Sequence, residues 1–152
     1  MILICLRYAK NEEDAVEILN NGFLKVFKNL DKYNPEQAAL YTWIRTIIIN
    51  SCLDFIKARQ RREVSKELDE NLEVHMDAEV IKKINSEALL HMIRRLPPAT
   101  MAVFNLYVLE GYRHKDIASL LNITEGTSKW HLSEARKQLQ KMIHQQDFKI
   151  YE

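Results

Sequence analysis

The sequence predicts an all-α protein built from two small helical domains that are joined by a linker. Glycine and proline are scarce, with three of each in 152 residues, which disfavours a many-turned β fold and favours long helices. Apolar residues recur at steps of three and four through most of the chain, as amphipathic helices require. The predicted division is a domain over residues 1–63, a linker over 64–83, a domain over 84–146 and a tail over 147–152.

Composition and residue spacing exclude several classes of protein. The net charge is only +1, so any basic surface for a nucleic acid must be local. The two cysteines lie in apolar helical runs without zinc spacing, and the five histidines are scattered, so we expect free thiols, no metal and no cofactor. No carboxylate pair has a partnering nucleophile, which argues against an enzyme. No apolar run reaches the ~18 residues of a membrane span, and no basic leader is present, so we expect a cytoplasmic protein.

An amphipathic helix is predicted over residues 11–30. Asn11 is a start signal, and acidic residues crowd the first turn, where the helix dipole favours them. Gly22 costs about 1 kcal/mol in a helix interior and therefore indicates close packing. Its apolar residues, which recur at steps of three and four, are Ala15, Ile18, Leu19, Phe23, Val26, Phe27 and Leu30.

A second, longer helix is predicted over residues 40–62, after a break at Pro35. One stripe of this helix begins aromatic, turns polar and ends basic, and most of the local positive charge lies at its end. The stripe comprises Trp43, Ile47, Asn50, Asp54, Lys57 and Arg61. Two interpretations stay open: a nucleic-acid surface, or a core pair at Trp43 and Ile47 followed by internally paired polar groups. For Trp43 we favour the core, and for Arg59, Arg61 and Arg62 we favour contact with phosphate.

Residues 63–87 are acidic and weakly periodic, and four further helical stretches follow them. The first runs from Ser86, a candidate cap, to the stop at Pro97. The second ends at Gly111, a usual C-terminal stop, with four apolar residues on one side. These four are Val103, Phe104, Tyr107 and Val108.

The last two stretches have helix-turn-helix spacing. A short helix ends near Leu121, the three-residue turn "NIT" follows, and Thr124 is a good N-cap for a longer helix. In this motif the second helix enters the DNA major groove. The small apolar nucleus that the motif needs is supplied by Ile117, Ala118, Leu121 and Ile123.

Spacing in the last helix predicts that Trp130 points outward. The inner face has steps of four and three, and comprises Ser128, Leu132, Ala135, Leu139 and Met142. Trp130 lies ~200° from Ser128 around a helix of 3.6 residues per turn. The alternatives to a DNA contact are a partner helix or an indole that folds back on its neighbours.

The second half resembles region 4 of bacterial sigma factors. The stretch "LPPATMAVFNLYVLEGYRHKDIASLLNITEGTSKWHLSEARKQL" has the family's leading "LP", its "EG" before the helix-turn-helix, its "IA" pair, "GT" and "AR". The first half resembles region 2 in "AVEILNNGFLKVFKNL" and "TWIRTIIINSCLDFIKARQRR". Two domains and a linker are the layout of the extracytoplasmic-function (ECF) group of the sigma-70 family. The form "GTSKWH" is similar to versions from Bacteroidetes-type bacteria.

The resemblance implies a sigma factor that binds core RNA polymerase and promoter DNA, with an anti-sigma factor as a further partner. Contact with polymerase is implied for Asp14, Glu17, Asn20, Asn21 and Lys25. Recognition and melting of the minus-ten element are implied for Asn50, Asp54, Lys57, Arg59, Arg61 and Arg62. Reading of the minus-thirty-five element is implied for Gly126, Thr127, Lys129, Trp130, His131, Ser133 and Lys137.

The sequence departs from the family pattern at four places. The chain opens where the family has a further helix, so we expect the N-terminal helix of the first domain to be missing. Arg113 replaces a Ser or Thr cap, at a cost of about 1 kcal/mol. Glu134 replaces a residue that is often basic, and Lys57 replaces a frequent arginine and loses its bidentate fork. The alternatives are a stand-alone helix-turn-helix regulator and a truncated protein that occupies polymerase or an anti-sigma factor.

Overall fold

A computed structural model describes residues 1–64 and 86–148, and the side chains of residues 62–64, 86–87 and 145–148 lie outside this description. Within those ranges the regular structure is helical and there is no strand, so the predicted all-α class is confirmed. A 3-10 turn (Leu30–Lys32) follows α2, and a π-helical segment (Asn105–Leu109) follows α5. The α-helices are α1 (Ile2–Tyr8), α2 (Glu12–Lys28), α3 (Leu40–Val64), α4 (Ser86–Arg94), α5 (Pro98–Phe104), α6 (His114–Leu121) and α7 (Glu125–Phe148).

The chain divides into two compact units, Met1–Glu63 and Val64–Glu152. The predicted linker and tail lie largely outside the described residues, so their boundaries stay predictions. In the part of the chain that the structure describes, no helix is long and apolar enough to cross a membrane.

The first unit begins with α1 packed on α2. Ile4, Cys5 and Tyr8 supply the buried face of α1. Helix α2 starts as predicted, because the Asp14 amide donates to the Asn11 side-chain oxygen at 2.7 Å. This bond satisfies one of the orphan donors at the helix start.

Helices α2 and α3 approach each other closely at Gly22. A Cβ atom at this position would lie 2.5 Å from Cδ1 of Ile48, which is fully buried. The glycine therefore permits the contact, as its place in the predicted helix indicated. The long helix predicted over 40–62 is also present, and its core residues are Ile48, Ile49, Cys52, Leu53 and Ile56.

The buried face of α2 is narrower than its set of apolar residues. Its buried residues are Ala15, Ile18, Gly22 and Val26, which follow at steps of three and four. Phe27 is 70% exposed because it lies one residue, or about 100° of helix rotation, beyond Val26. Leu30 is exposed as well, since α2 ends at Lys28 and Leu30 belongs to the 3-10 turn.

The two cysteines are free and fully buried in this unit, as predicted. A hydrogen bond with the Cys52 side chain lowers the pKa of the Cys5 thiol, and burial of that thiol acts in the opposite direction. The two thiols are therefore neighbours that join α1 to α3.

In the second unit, α7 contacts α4, α5 and α6 and forms the centre of the core. The buried apolar residues include Met92, Ile93, Leu96, Met101, Val103, Leu106, Ile117, Leu132, Ala135 and Leu139. The candidate cap Ser86 has a side chain outside the described residues.

The stretch predicted to be helical from Pro98 to Gly111 is helical as far as Leu109, but it is not one regular α-helix. After Phe104 the backbone is π-helical, and the Glu110 amide donates to the Asn105 carbonyl at 3.0 Å. The wider turn rotates the following side chains, so Tyr107 and Val108 are exposed instead of lying with buried Val103. Gly111 has a φ of 75° and ends the segment as predicted.

Candidate nucleic-acid interface

The turn between α6 and α7 has the predicted helix-turn-helix form. Helix α6 ends at Leu121, Asn122 takes the left-handed conformation with φ 56° and ψ 50°, and α7 begins at Glu125. The Ile123 amide donates to the Ala118 carbonyl at 3.0 Å, which closes the turn. Asparagine tolerates this conformation better than most residues. Arg113, at the start of α6, makes no side-chain cap, as predicted.

The N-terminus of α7 is capped by Thr124, as predicted. Its Oγ1 accepts the Thr127 amide at 3.0 Å and shares a hydrogen bond of 2.9 Å with the Thr127 hydroxyl. Gly126 lies in this first turn and is exposed. A Cβ there would meet only the Thr124 Oγ1, at 3.7 Å, so packing does not require glycine.

Helix α7 has one buried and one exposed face, arranged as the spacing predicts. Ser128, Leu132, Ala135 and Leu139 are buried, and Met142 is partly buried. On the exposed face, residues at steps of four, three and four form a stripe, which we call the outer stripe. The outer stripe comprises Gly126, Trp130, Ser133 and Lys137. The Trp130 side chain is 59% exposed, and Lys129 is exposed beside it.

Two histidines join α7 to neighbouring helices. His114 of α6 shares a hydrogen bond of 2.9 Å between its Nδ1 and the Oγ of buried Ser128, and its ring stacks on Tyr107 at 4.5 Å. His131 of α7 shares a hydrogen bond of 3.0 Å between its Nδ1 and Oγ1 of Thr100 in α5. Burial lowers the pKa of His131 below its ordinary value. Sequence spacing placed His131 beside Trp130 but gave no sign of the Thr100 contact.

Part of the polar stripe of α3 is paired with side chains of α2. Asn50 and Arg61 are exposed, and Lys57 is partly buried. Asp54 pairs with Lys25 at 2.8 Å, and Arg59 pairs with Asp14 at 3.1 Å. Both pairs join α3 to α2. The internal-pairing alternative therefore holds for Asp54 in this structure, and Arg59 has a protein partner that the sequence interpretation lacked.

Trp43 is not one of the buried core residues, although we favoured the core for it. Its ring is partly buried and lies 5.3 Å from the ring of Tyr33, at an interplanar angle of 47°. The side chain of Arg62, the last residue of the predicted minus-ten set, lies outside the described residues.

Residues predicted to contact polymerase form a polar strip on α2. Glu17, Asn20 and Asn21 are exposed, whereas Asp14 and Lys25 are held in the two ion pairs with α3. The prediction missed the apolar residues of this face, Val16 and Leu24, which are 48% and 51% exposed. Their signal in the sequence was a step of four on either side of Asn20, off the buried stripe.

Residues 1–64 and 86–148 contain no set of side chains arranged to bind a metal ion. No group of three or more His, Cys, Asp or Glu side chains converges there to hold an ion. What the described surfaces offer is hydrogen bonding, positive charge and exposed aromatic area.

Comparison with protein families assigns both halves of the chain to one family. Residues 2–62 match Sigma-70 region 2, and residues 86–139 match Sigma-70, region 4. The two regions occur in the expected order and correspond to the two compact units.

Curated relatives are similar over most of their length. The chain is 25% identical to the RNA polymerase sigma-H factor of Pseudomonas aeruginosa, and the match covers 92% of this chain and 78% of the relative. It is 23% identical to the ECF RNA polymerase sigma-E factor of Haemophilus influenzae, covering 88% and 76%. It is 25% identical to the ECF RNA polymerase sigma-E factor of Escherichia coli, covering 86% and 74%.

A solved structure has the same fold. The sigma factor RpoE of Bartonella quintana, solved in complex with the anti-sigma factor NepR, superposes with a TM-score of 0.64 and 17% identity. The match covers 94% of this chain and 89% of that one. Because two regions of one family match in order, and two of these relatives are ECF RNA polymerase sigma factors, this chain belongs to the sigma-70 family and to its extracytoplasmic-function group.

Proposed function

We propose that this chain is a sigma factor that binds core RNA polymerase and directs promoter recognition for transcription initiation. The observation that carries the proposal is the exposed outer stripe of α7 on a helix-turn-helix, in a chain with both sigma-70 regions. The chain acts by binding, as a subunit, and its polymerase and DNA partners locate it in the cytoplasm. An anti-sigma factor is a further partner in this proposal, and the form "GTSKWH" favours a Bacteroidetes-like origin.

Helix α7 is proposed to read the minus-thirty-five element in the major groove. Trp130, His131 and Ser133 are the candidates for base edges, since they lie on the half of the helix that is not buried. Lys129, Lys137, Thr127 and Gly126 are candidates for phosphate, because cations and helix N-termini attract it. Phosphate contacts position the protein and base contacts select the sequence.

The first unit is proposed to bind polymerase through α2 and the minus-ten element through α3. On α2 we add Val16 and Leu24 to the polar set Asp14, Glu17, Asn20, Asn21 and Lys25, because an interface core is commonly apolar with a polar rim. On α3 the set is Asn50, Asp54, Lys57, Arg59, Arg61 and Arg62. Ion pairs that water reaches contribute only about 0–1 kcal/mol, and the pair of Arg59 with Asp14 is partly exposed, so Arg59 can exchange Asp14 for a phosphate at small cost.

Run-off transcription with purified core polymerase tests the proposal. We expect this chain to support promoter-specific initiation, and Glu17→Lys combined with Asn20→Ala to lower its affinity for core polymerase. Lys10→Ala, an exposed change outside the proposed sets, is the matched control. Failure of the chain to bind core polymerase would refute the proposal. Footprinting of a promoter by the chain alone, without polymerase, would instead support a stand-alone regulator.

A further inference from the structure

Thr100 lies outside the helix-turn-helix and makes a buried contact with its second helix, α7. It lies on α5, is only 2% exposed, and its Oγ1 is 3.0 Å from Nδ1 of His131. A buried hydroxyl needs a hydrogen-bond partner, and His131 supplies one. The contact therefore ties a core helix to a side chain on the DNA-facing half of α7.

The hydrogen bond determines which part of the His131 ring remains available. Nδ1 is engaged by Thr100, so Nε2 is the ring nitrogen that is left for a ligand. The ring is partly buried, which restricts its other rotamers. A histidine held at one nitrogen presents the other in a fixed direction.

The His131 ring in turn contacts Trp130. The ring centroids are 4.9 Å apart at an interplanar angle of 69°, an edge-to-face arrangement that aromatic pairs favour. Successive residues on a helix do not normally face each other, so this contact depends on the rotamer that His131 adopts. Trp130 is 59% exposed, and the contact with the His131 ring restrains the orientation of its indole.

We infer that Thr100 is a positioning residue for promoter selection: it holds His131, and His131 holds the Trp130 indole in the orientation that meets the upstream element. The inference rests on the proposed function, which places DNA in front of α7. Thr100 itself is buried between α5 and α7, so its proposed effect on selection is transmitted through His131. A preorganised side chain avoids an ordering cost on binding, which corresponds to a gain of about threefold to tenfold in affinity for the selected sequence.

A spectroscopic experiment on the full chain tests the protein half of the inference. The chain has two tryptophans, so 5-fluorotryptophan gives two fluorine resonances, which Trp43→Phe assigns. Thr100→Val removes the hydroxyl and keeps the shape, and we expect it to move the Trp130 resonance and leave that of Trp43 in place. Thr100→Ser keeps the hydroxyl and should retain the parent resonance. An unmoved Trp130 resonance in Thr100→Val overturns the inference.

If Thr100→Val loses helical circular dichroism, Thr100→Ala takes its place. Alanine removes the same hydroxyl without adding volume and favours helix formation. The same shift is expected, and an unmoved resonance overturns the inference here as well.

The functional half is tested by selection with holoenzyme. Core polymerase loaded with each variant captures duplexes from a pool with a randomised upstream element, and the bound sequences are counted. We expect Trp130→Ala to lose a base preference, Thr100→Val to weaken the same preference about threefold to tenfold, and Thr100→Ser to keep it.

The outcomes separate the two proposals. If Trp130→Ala selects the same sequences as the parent, the proposed base contact is wrong and the role of Thr100 falls with it. If Trp130→Ala changes the selection and Thr100→Val does not, only the inference about Thr100 is overturned.

Discussion

Most of the Trp130 indole is exposed to solvent, because other residues form the buried face of α7. Four residues at steps of four and three fill that face, and the tryptophan lies outside it. A large aromatic side chain gains more from burial than most others, so its exposure beside Lys129 indicates a surface that meets a partner. The contact with His131 orients the indole without covering it.

Gly126→Ala should have opposite effects on the stability of the fold and on promoter binding. Because a Cβ there meets only an oxygen at 3.7 Å, alanine should raise the free energy of unfolding by up to about 1 kcal/mol. If DNA phosphate approaches this backbone, promoter binding by holoenzyme should fall in the same variant. Urea denaturation and filter binding measure the two effects. A more stable variant with unchanged promoter binding would refute close approach at Gly126.

The lowered pKa of His131 predicts a pH dependence of stability. Burial penalises the charged ring in the folded state, whereas the unfolded chain has the ordinary value of about 6.5. As the pH falls below that value, the unfolded state takes up the proton first. The contribution of the neutral His131 ring to the free energy of unfolding is therefore full above about pH 6.5. It is lost as the pH falls toward the lower pKa of the folded state.

His131→Gln should reduce this loss of stability. The check is urea denaturation at several pH values between about 7.5 and 5.5, the range in which histidine titrates. Lys129→Gln, an exposed change on the same helix, serves as the control and should keep the parent slope. If the free energy of unfolding changes with pH equally in the parent and in His131→Gln, burial of the ring is contradicted.

At the scale of elements, the first unit depends on how closely α2 approaches α3. Ile48 Cδ1 would lie 2.5 Å from a Cβ at Gly22, so the two helices meet where one lacks a side chain. The ion pairs of Asp54 with Lys25 and of Arg59 with Asp14 join the same two helices. Thus α3 and α2 act as one structural element, although their proposed partners differ.

Gly22→Ala should lower the free energy of unfolding, despite the better helix propensity of alanine. Overpacking of a core costs about 1–3 kcal/mol, which exceeds the gain of about 1 kcal/mol from removing the glycine. Ile48→Val removes the clashing methyl, so the double variant should lose less than the sum of the two single changes. Additive losses in denaturant titrations would show that Ile48 is not the obstacle.

The pair of Arg59 and Asp14 predicts opposite effects of its two members on DNA binding. Arg59→Gln removes a proposed phosphate contact and should weaken promoter binding, whereas Asp14→Asn removes the negative charge paired with the arginine and should leave binding equal or tighter. Each change should cost at most about 1 kcal/mol of stability, because the pair is partly exposed. Binding is measured with holoenzyme at saturating core polymerase, since Asp14 also lies on the proposed polymerase face. Equal weakening by both variants would assign the pair a structural role only.

For the whole molecule, the near-neutral net charge shapes how the chain reaches DNA. A charge of +1 offers little general attraction to a polyanion, so affinity has to come from local cations such as Lys129 and Lys137. This balance suits a protein that is brought to promoters by a partner.

Removal of either lysine should therefore change the salt dependence of promoter binding and leave its sequence preference intact. We expect Lys129→Gln and Lys137→Gln each to reduce the slope of log affinity against log salt by about 1. Glu125→Gln, which removes an acidic group at the start of the same helix, should not reduce the slope. A slope that stays unchanged after loss of both lysines would remove the phosphate role of this face.

The sequence by itself determined the helices, the turn before α7 and the outward direction of Trp130. These features are local: apolar spacing, the Thr124 cap and the Gly111 stop act within a few residues, so their effect can be read along the chain. The matches to family motifs were local in the same sense, and two of them in order were enough to indicate the family.

Only the tertiary structure decided which polar side chains pair with another helix and which apolar side chains are buried against one. The partners of Arg59 and His131 lie 45 and 31 residues away, and no spacing rule reaches that far. Phe27 and Val108 belong to apolar sets that the sequence groups together, and both are exposed, because the width of a buried face depends on what packs against it. The π-helical turn after Phe104 likewise has no signal in the local apolar pattern.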